Sequence, residues 1–288
     1  MRPMKALVRL VAAACCLSIF LSCTANPFGD DDISADRGKI RGTVTLNDTG
    51  SPQGVYVWLD GFKVGAWTDA GGKFQLTLPP PSAQGAGGGV SGIFSLYFYI
   101  ANYSLASAQV VTQNGEFVYS RGDFNSKGEL ASPRSLRRFL RISTAVSPAS
   151  VQMNDPNNRI GVTVSLQATI DSATVIFPGS VGGLLGGVLF RKVGTDTVIV
   201  HALDPGARTR DVQIVGTMPH QRFLIFTLAQ LNPPLTPGEY EVIPYLLMGH
   251  EAVPAGLIST IAADAEKLGP NYLKIPFRRE AGQLTVTN

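Results

Sequence analysis

Residues 54–78 read GVYVWLDGFKVGAWTDAGGKFQLTL, and this stretch decides the fold. Val55, Val57 and Leu59 alternate with Tyr56, Trp58 and Asp60, the period of two that a half-buried strand imposes on its side chains. Gly61 and Gly65 punctuate the run, and Trp67-Thr68-Asp69-Ala70-Gly71-Gly72-Lys73-Phe74 then reads as strand, tight turn, strand. Phe74, Leu76 and Leu78 line one face before Pro79-Pro80-Pro81 stops the strand. Working outward, Ile40, Gly42, Val44 and Leu46 alternate with Arg41, Thr43 and Thr45 up to a turn at Asn47-Asp48-Thr49-Gly50. On the other side Phe94, Leu96, Phe98 and Ile100 alternate with Ser95, Tyr97 and Tyr99, and residues 110–119 supply a last strand. Residues 38–118 are therefore expected to form a β-sandwich.

The order Gly42-Thr43-Val44, Gly54-Val55-Tyr56-Val57, Thr68-Asp69-Ala70-Gly71-Gly72-Lys73-Phe74 and Leu78-Pro79 resembles the carboxypeptidase regulatory-like domain. That resemblance implies a transthyretin-like seven-stranded sandwich and a non-catalytic scaffold or binding module. Where the family carries a Gly-Tyr pair in a later strand, this chain has Ala101-Asn102-Tyr103.

Residues 143–288 start again with strands: Val151, residues 160–166, 173–177, 188–190, 198–200, 212–215 and 223–228. Short strands at such spacing predict a second sandwich, so the fold class expected is all-β with two sandwiches. Leu235-Thr236-Pro237-Gly238-Glu239-Tyr240-Glu241-Val242 resembles the strand ending of bacterial immunoglobulin-like and fibronectin-like domains. Leu257, Ile258, Ile261, Ala265 and Leu268 fall on a helical stripe ended by Gly269-Pro270, which predicts a capping helix near 257–268 between two late strands. The late strands are expected near 273–277 or 284–286. Gly182-Gly183-Leu184-Leu185-Gly186-Gly187 is too short to span a bilayer and reads as a loop. Between the halves, residues 119–142 are expected to connect. Ser132-Pro133 opens this segment as a helix start would, and a helix there would put Arg134, Arg137, Arg138 and Arg141 on one face. Such a face would either meet anionic lipid or lipopolysaccharide or stand in water.

The amino end sets the address. Arg2, Lys5 and Arg9 precede an apolar run from Leu10 to Leu21, shorter than a membrane span, and Leu21-Ser22-Cys23 follows. Residues 1–22 thus read as a cleaved export signal resembling that of bacterial lipoproteins, with Cys23 as the lipid attachment site. Lipid chains on Cys23 would anchor the protein to the membrane, each buried methylene adding ~0.8 kcal/mol. In sorting systems of enterobacterial type, Thr24 after the cysteine favours the outer membrane over the inner. Residues 23–37, with Asp30, Asp31 and Asp32, read as a polar tether.

The chain holds 24 Lys and Arg against 21 Asp and Glu, and loss of the three basic residues of the signal leaves the two balanced. A neutral mature chain argues against nucleic acid as a partner, since that binding rests on clustered basic side chains. Of three cysteines, Cys15 and Cys16 lie within the signal, which leaves the mature chain no disulfide and no thiol nucleophile beyond the anchor. His201, His220 and His250 stand at no ligand spacing, and no His-Glu-x-x-His or Gly-x-Ser-x-Gly occurs, so no enzyme, cofactor or metal is expected. Gly85, Gly87, Gly88 and Gly89 make residues 82–92 a mobile hinge or lid, and without a following helix it is no phosphate cradle. Arg121-Gly122-Asp123 reads as a surface turn. The best functional lead is aromatic: with Val55, Val57 and Leu59 turned inward, Tyr56 and Trp58 on one strand and Tyr97 and Tyr99 on another face outward, with Trp67 nearby. Exposed flat rings stack on sugars or serve as protein hot spots, unless the 82–92 loop or the second sandwich covers them. The expected function is a lipid-anchored, non-catalytic envelope protein working through protein partners. The alternatives are a carbohydrate-binding accessory module using Tyr56, Trp58, Trp67, Tyr97 and Tyr99, and an uncharacterised hydrolase.

Overall fold

The alternating segments become strands in chain order: β1 (Lys39–Leu46), β2 (Tyr56–Leu59), β3 (Val64–Trp67), β4 (Lys73–Thr77), β5 (Gly92–Tyr99), β6 (Ala106–Gln113), β7 (Glu116–Phe117) and β8 (Arg134–Leu136). The computed structural model describes residues 37–85, 88–155, 157–249 and 252–288. The signal, Cys23, the tether through residue 36 and His250 lie outside the described residues.

A five-stranded sheet ordered β3-β2-β5-β6-β7 packs against a three-stranded sheet ordered β4-β1-β8. The antiparallel register sets Val57 opposite Phe98 and Leu59 opposite Leu96, so one face of β2 and β5 is aliphatic and aromatic throughout. These residues bury against Ile40, Val44, Phe74 and Leu76 of the facing sheet. Phe74 meets Phe98 edge to face at 5.6 Å. The tight turn before β4 is held by Asp69, whose Oδ1 accepts from the N–H groups of Gly71 and Lys73, both at 2.9 Å. Gly72 takes φ +75° there, a conformation costly for any residue with a Cβ.

The stretch 119–142, expected to connect, instead completes the first core. Phe124, Leu130 and Leu136 are buried in it, and β8 pairs in parallel with β1. The helix considered for residues 132–141 does not form. Leu136, Leu140 and Ile142 are buried while Arg137 and Arg141 are exposed, and pairing with β1 and with the second sandwich satisfies the backbone as strands.

The second sandwich comprises β9 (Leu140–Ser147), β10 (Ser150–Gln152), β11 (Arg159–Ala168), β12 (Ala173–Pro178), β13 (Gly187–Lys192), β14 (Val198–Ala202), β15 (Arg210–Val215), β16 (His220–Thr227), β17 (Gly238–Pro244), β18 (Leu247–Met248) and β19 (Gly282–Thr287). Its sheets run β10-β19-β17-β13-β14, β16-β11-β9 and β15-β12-β18. Val162, Val164 and Leu166 of β11 face Phe190, Tyr240 and Leu284 across a second core. The expected strands at 160–166, 173–177, 188–190, 198–200 and 212–215 fall within these elements, and that at 223–228 falls within β16 except for Leu228, which opens a 3₁₀ turn.

The capping helix is shorter than its apolar stripe. Helix α1 (Leu257–Ile261) ends where Ala262 turns extended, and residues 262–269 continue as turns and irregular backbone. Ile258, Thr260 and Ile261 are weak helix formers, and the Thr260 hydroxyl bonds back to the carbonyls of Gly256 and Leu257. The stripe is nevertheless buried or half-buried as expected, because Leu257, Ala265, Tyr272 and Ile275 enter a third core. Of the late strands, residues 284–286 fall within β19, while residues 270–274 form a 3₁₀ turn.

Candidate functional site

The third core joins the two sandwiches. Tyr56, Trp58, Tyr99 and Ala101 of the first pack against Leu189, Ile243, Tyr245 and Leu247 of the second and against the segment that carries α1. Their direction follows from the strand period: every residue of β2 not turned to the first core points the other way. Antiparallel pairing then aligns Trp67, Tyr56 and Tyr99 in one cross-strand row and Gly65, Trp58 and Tyr97 in the next.

The rings expected to stand in water are therefore mostly covered. Trp58 is 1% exposed, Tyr56 and Tyr99 are buried, and Tyr97 is half-buried beside Trp58 at 6.1 Å. The second sandwich covers them. Residues 82–85 and 88–92 of the glycine-rich loop, the remainder lying outside the described residues, sit elsewhere: the Gln84 side-chain amide donates to the carbonyls of Pro79 and Gly115 and accepts from the N–H of Val90. Burial of aromatic rings of roughly 150–250 Å² each is worth about 4–6 kcal/mol per ring as a gross upper bound, which makes this contact a core and not a loose docking. Burial also pushes the hydroxyl of Tyr245 up to about 12 and that of Tyr99 well above its ordinary value.

Polar groups key the joint. Asn102, fully buried, donates through Nδ2 to the carbonyls of Leu140 (2.9 Å) and Arg278 (2.8 Å) and accepts the Arg278 N–H at 3.0 Å. The Ala101 N–H donates to Pro276 at 2.7 Å. Beside them Tyr103 donates to Asp48 at 2.7 Å, and the Arg138 guanidinium meets both, at 2.8 Å each. Burial raises the Asp48 carboxyl, but hydrogen bonds from Tyr103 and Gly50 and the Arg138 charge outweigh it and hold the group below its usual range. Sequence reasoning missed this cluster. Its one visible trace was Ala101-Asn102-Tyr103, standing where the resembled family carries Gly-Tyr.

Trp67 is the ring left in solvent, 47% exposed and tilted against Tyr56 at 4.7 Å. It borders a groove of about 370 Å³ with Lys274, Gln283 and the Arg191–Glu241 ion pair. A second exposed apolar feature lies on β15 and β16, which end their sheets: Val212, Ile214, Phe223 and Ile225 and, in the turn between, Met218 at 80%.

His201 sits on β14 with its ring 4.5 Å from Phe226, and burial lowers its proton affinity. Among the described residues no three His, Cys, Asp or Glu side chains gather closely enough to hold a metal ion.

No family model matches the chain, and no curated protein matches it. A cohesin–X-dockerin complex of Acetivibrio cellulolyticus matches at 17% identity and TM-score 0.24 over 35% of this chain, which spans only 58% of that one. A structure described as a "putative carbohydrate binding protein" of Bacteroides uniformis matches at 11% identity and TM-score 0.35, over 75% of this chain and 91% of that one. The major pilin subunit of Bacillus cereus matches at 9% identity and TM-score 0.22, over 72% and 87%. Scores this low carry no argument about topology or ligand.

Proposed function

We propose that this chain is a non-catalytic cell-envelope protein, lipid-anchored through Cys23 at the outer membrane, that acts as a binding or scaffold module through a protein partner. The observation that carries the reading is the exposed apolar row on β15 and β16. Both strands end their sheets; the Leu185 N–H donates to the Phe223 carbonyl, and beside Val212, Ile214 and Ile225 the edge has no strand neighbour among the described residues. Large apolar side chains beside an open strand edge mark an association surface, and they suit an apolar extended segment of another protein that pairs with the edge. Capture from detergent-solubilised envelopes tests this with the wild-type chain and with Ile214→Asp/Phe223→Asp. A partner held by the wild type and lost by a variant of unchanged circular dichroism supports the reading. Equal capture by both, or capture of no protein, overturns it.

A second reading rests on Trp67. A flat exposed ring above a groove lined by Lys274, Gln283, Arg191 and Glu241 has the composition of a saccharide subsite, apolar face beside hydrogen-bonding groups. Retention on a neutral polysaccharide column that is lost in Trp67→Ala supports it; equal elution of both proteins removes it.

A further inference from the structure

On another face of the joint lies a cleft of about 780 Å³, within the ~300–1,000 Å³ typical of small-molecule sites. Five arginines line it, Arg137, Arg138, Arg141, Arg278 and Arg279, against two acids, Asp48 and Glu280. Three of the five are committed to structure. Arg138 holds Asp48 and Tyr103. Arg278 donates to the carbonyls of Ser51 and Gln53, and Arg279 lies over Tyr272 and Phe277 and bonds the Tyr272 hydroxyl.

Arg137 and Arg141 are different: both are exposed at the cleft, and their guanidinium groups have no partner among the described residues. Asp48 is occupied by Arg138 and Tyr103, so Glu280 alone opposes them. The floor is the outward face of β9 and β11, where Arg141 stands opposite Gln167 and Ser143 opposite Ser165. The third core fixes the walls relative to each other, so the backbone positions that carry Arg137 and Arg141 are set before any ligand arrives.

We infer that this cleft binds an acidic saccharide, a sugar chain carrying carboxylate, sulfate or phosphate groups, with Arg137 and Arg141 as the anion contacts and Ser143, Ser165 and the Oε1 of Gln167, whose Nε2 donates to the Thr217 carbonyl, as partners for its hydroxyls. Planar guanidinium forks match carboxylate and oxyanion geometry in pairs, and a hydroxyl-lined floor suits a sugar better than a bare ion. The site is distinct from the β15–β16 edge and from Trp67, and it stands whether or not either binds anything.

Calorimetric titration of the chain from residue 37 onward with a sulfated oligosaccharide, an oligogalacturonate and a neutral glucan oligosaccharide tests the inference. Either acidic probe is expected to bind and the neutral one not. Affinity should fall as NaCl rises from about 50 to about 300 mM, and Arg137→Ser/Arg141→Ser should bind at least about ten-fold more weakly. Neither guanidinium has a partner among the described residues, so this variant keeps its fold, which the melting temperature verifies. Arg121→Ser, outside the cleft, should bind as wild type. Lipopolysaccharide micelles form a further arm: binding to them but to no free probe, lost in the double variant, assigns the saccharide to a lipid-linked source. Absence of binding in every arm, equal binding of the neutral probe, or unchanged affinity in the double variant overturns the inference.

Discussion

Asn102 and Arg278 exchange hydrogen bonds across the two sandwiches, Nδ2 donating to the Arg278 carbonyl at 2.8 Å and the Arg278 N–H donating back to Oδ1 at 3.0 Å. The same amide holds the Leu140 carbonyl, so one buried side chain ties the end of the first sandwich to both the first and the last segments of the second. Leaving those groups without partners in a dry site is expensive. Asn102→Ala should destabilise the protein by about 2–4 kcal/mol, from three lost hydrogen bonds and the stranded carbonyls. Denaturant melts check this; a change within about 0.5 kcal/mol would mean that water replaces the amide.

Much of the fold was legible because strand alternation is a local property. Val57 and Phe98 had to share a face, and Tyr56 and Trp58 had to share the opposite one. Alternation says where a ring points and nothing about what lies there, so the cover over Trp58 was out of reach of any local pattern. The Arg137 and Arg141 segment failed for a related reason. Ser132-Pro133 is a good helix start, but β8 takes its hydrogen bonds from β1, some ninety residues earlier. Asn102 was visible only as a departure from the resembled motif.

Trp58 and Trp67 should report the joint separately. Trp67→Phe leaves buried Trp58, with blue-shifted emission that resists acrylamide; Trp58→Phe leaves the exposed Trp67, red-shifted and readily quenched. Trp58→Ala should cost about 3–5 kcal/mol through the cavity left in the third core. Trp58→Phe should cost less, since the indole N–H it removes is buried without a partner. Equal quenching of the two single-tryptophan proteins would contradict the closed joint.

Acid should weaken the protein first through His201. Burial lowers its folded pKa below the unfolded 6.5, so as pH falls through 6.5 the unfolded chain takes up a proton that the folded chain refuses, and stability falls with pH. Asp48 and Asp123 have folded values below the usual carboxylate range, and their contribution is present above pH 4 and lost only below it. Melting temperatures at pH 7.5 and 5.5 should differ in the wild type and differ less in His201→Leu. The same drop in both would place the titrating group elsewhere.

Cys23 gives a direct test of the anchor. Wild-type cells fed labelled palmitate should yield a labelled chain that stays with membranes through a carbonate wash, and Cys23→Ser should be unlabelled and released. Equal membrane retention of the two would leave the export signal uncleaved or the tether held by something other than lipid.

Gly65 offers the sharpest probe of whether the joint is a core or a hinge. It stands opposite Trp58 on β3, and a Cβ there would overlap the hydroxyl and ring carbons of Tyr56. Tyr56 cannot yield outward, because Trp67 lies against its ring and the third core encloses it. Gly65→Ala must therefore displace Tyr56 into the joint or push β3 off β2. Overpacking of this kind costs about 1–3 kcal/mol in a tight core. Hydrogen exchange locates the strain: in Gly65→Ala, amides of residues 253–281 should lose protection along with β3, while the interior of β11 stays as slow as in the wild type. Loss confined to β3 would show that the two sandwiches meet with room to spare, and the fixed walls of the arginine cleft would then have no basis.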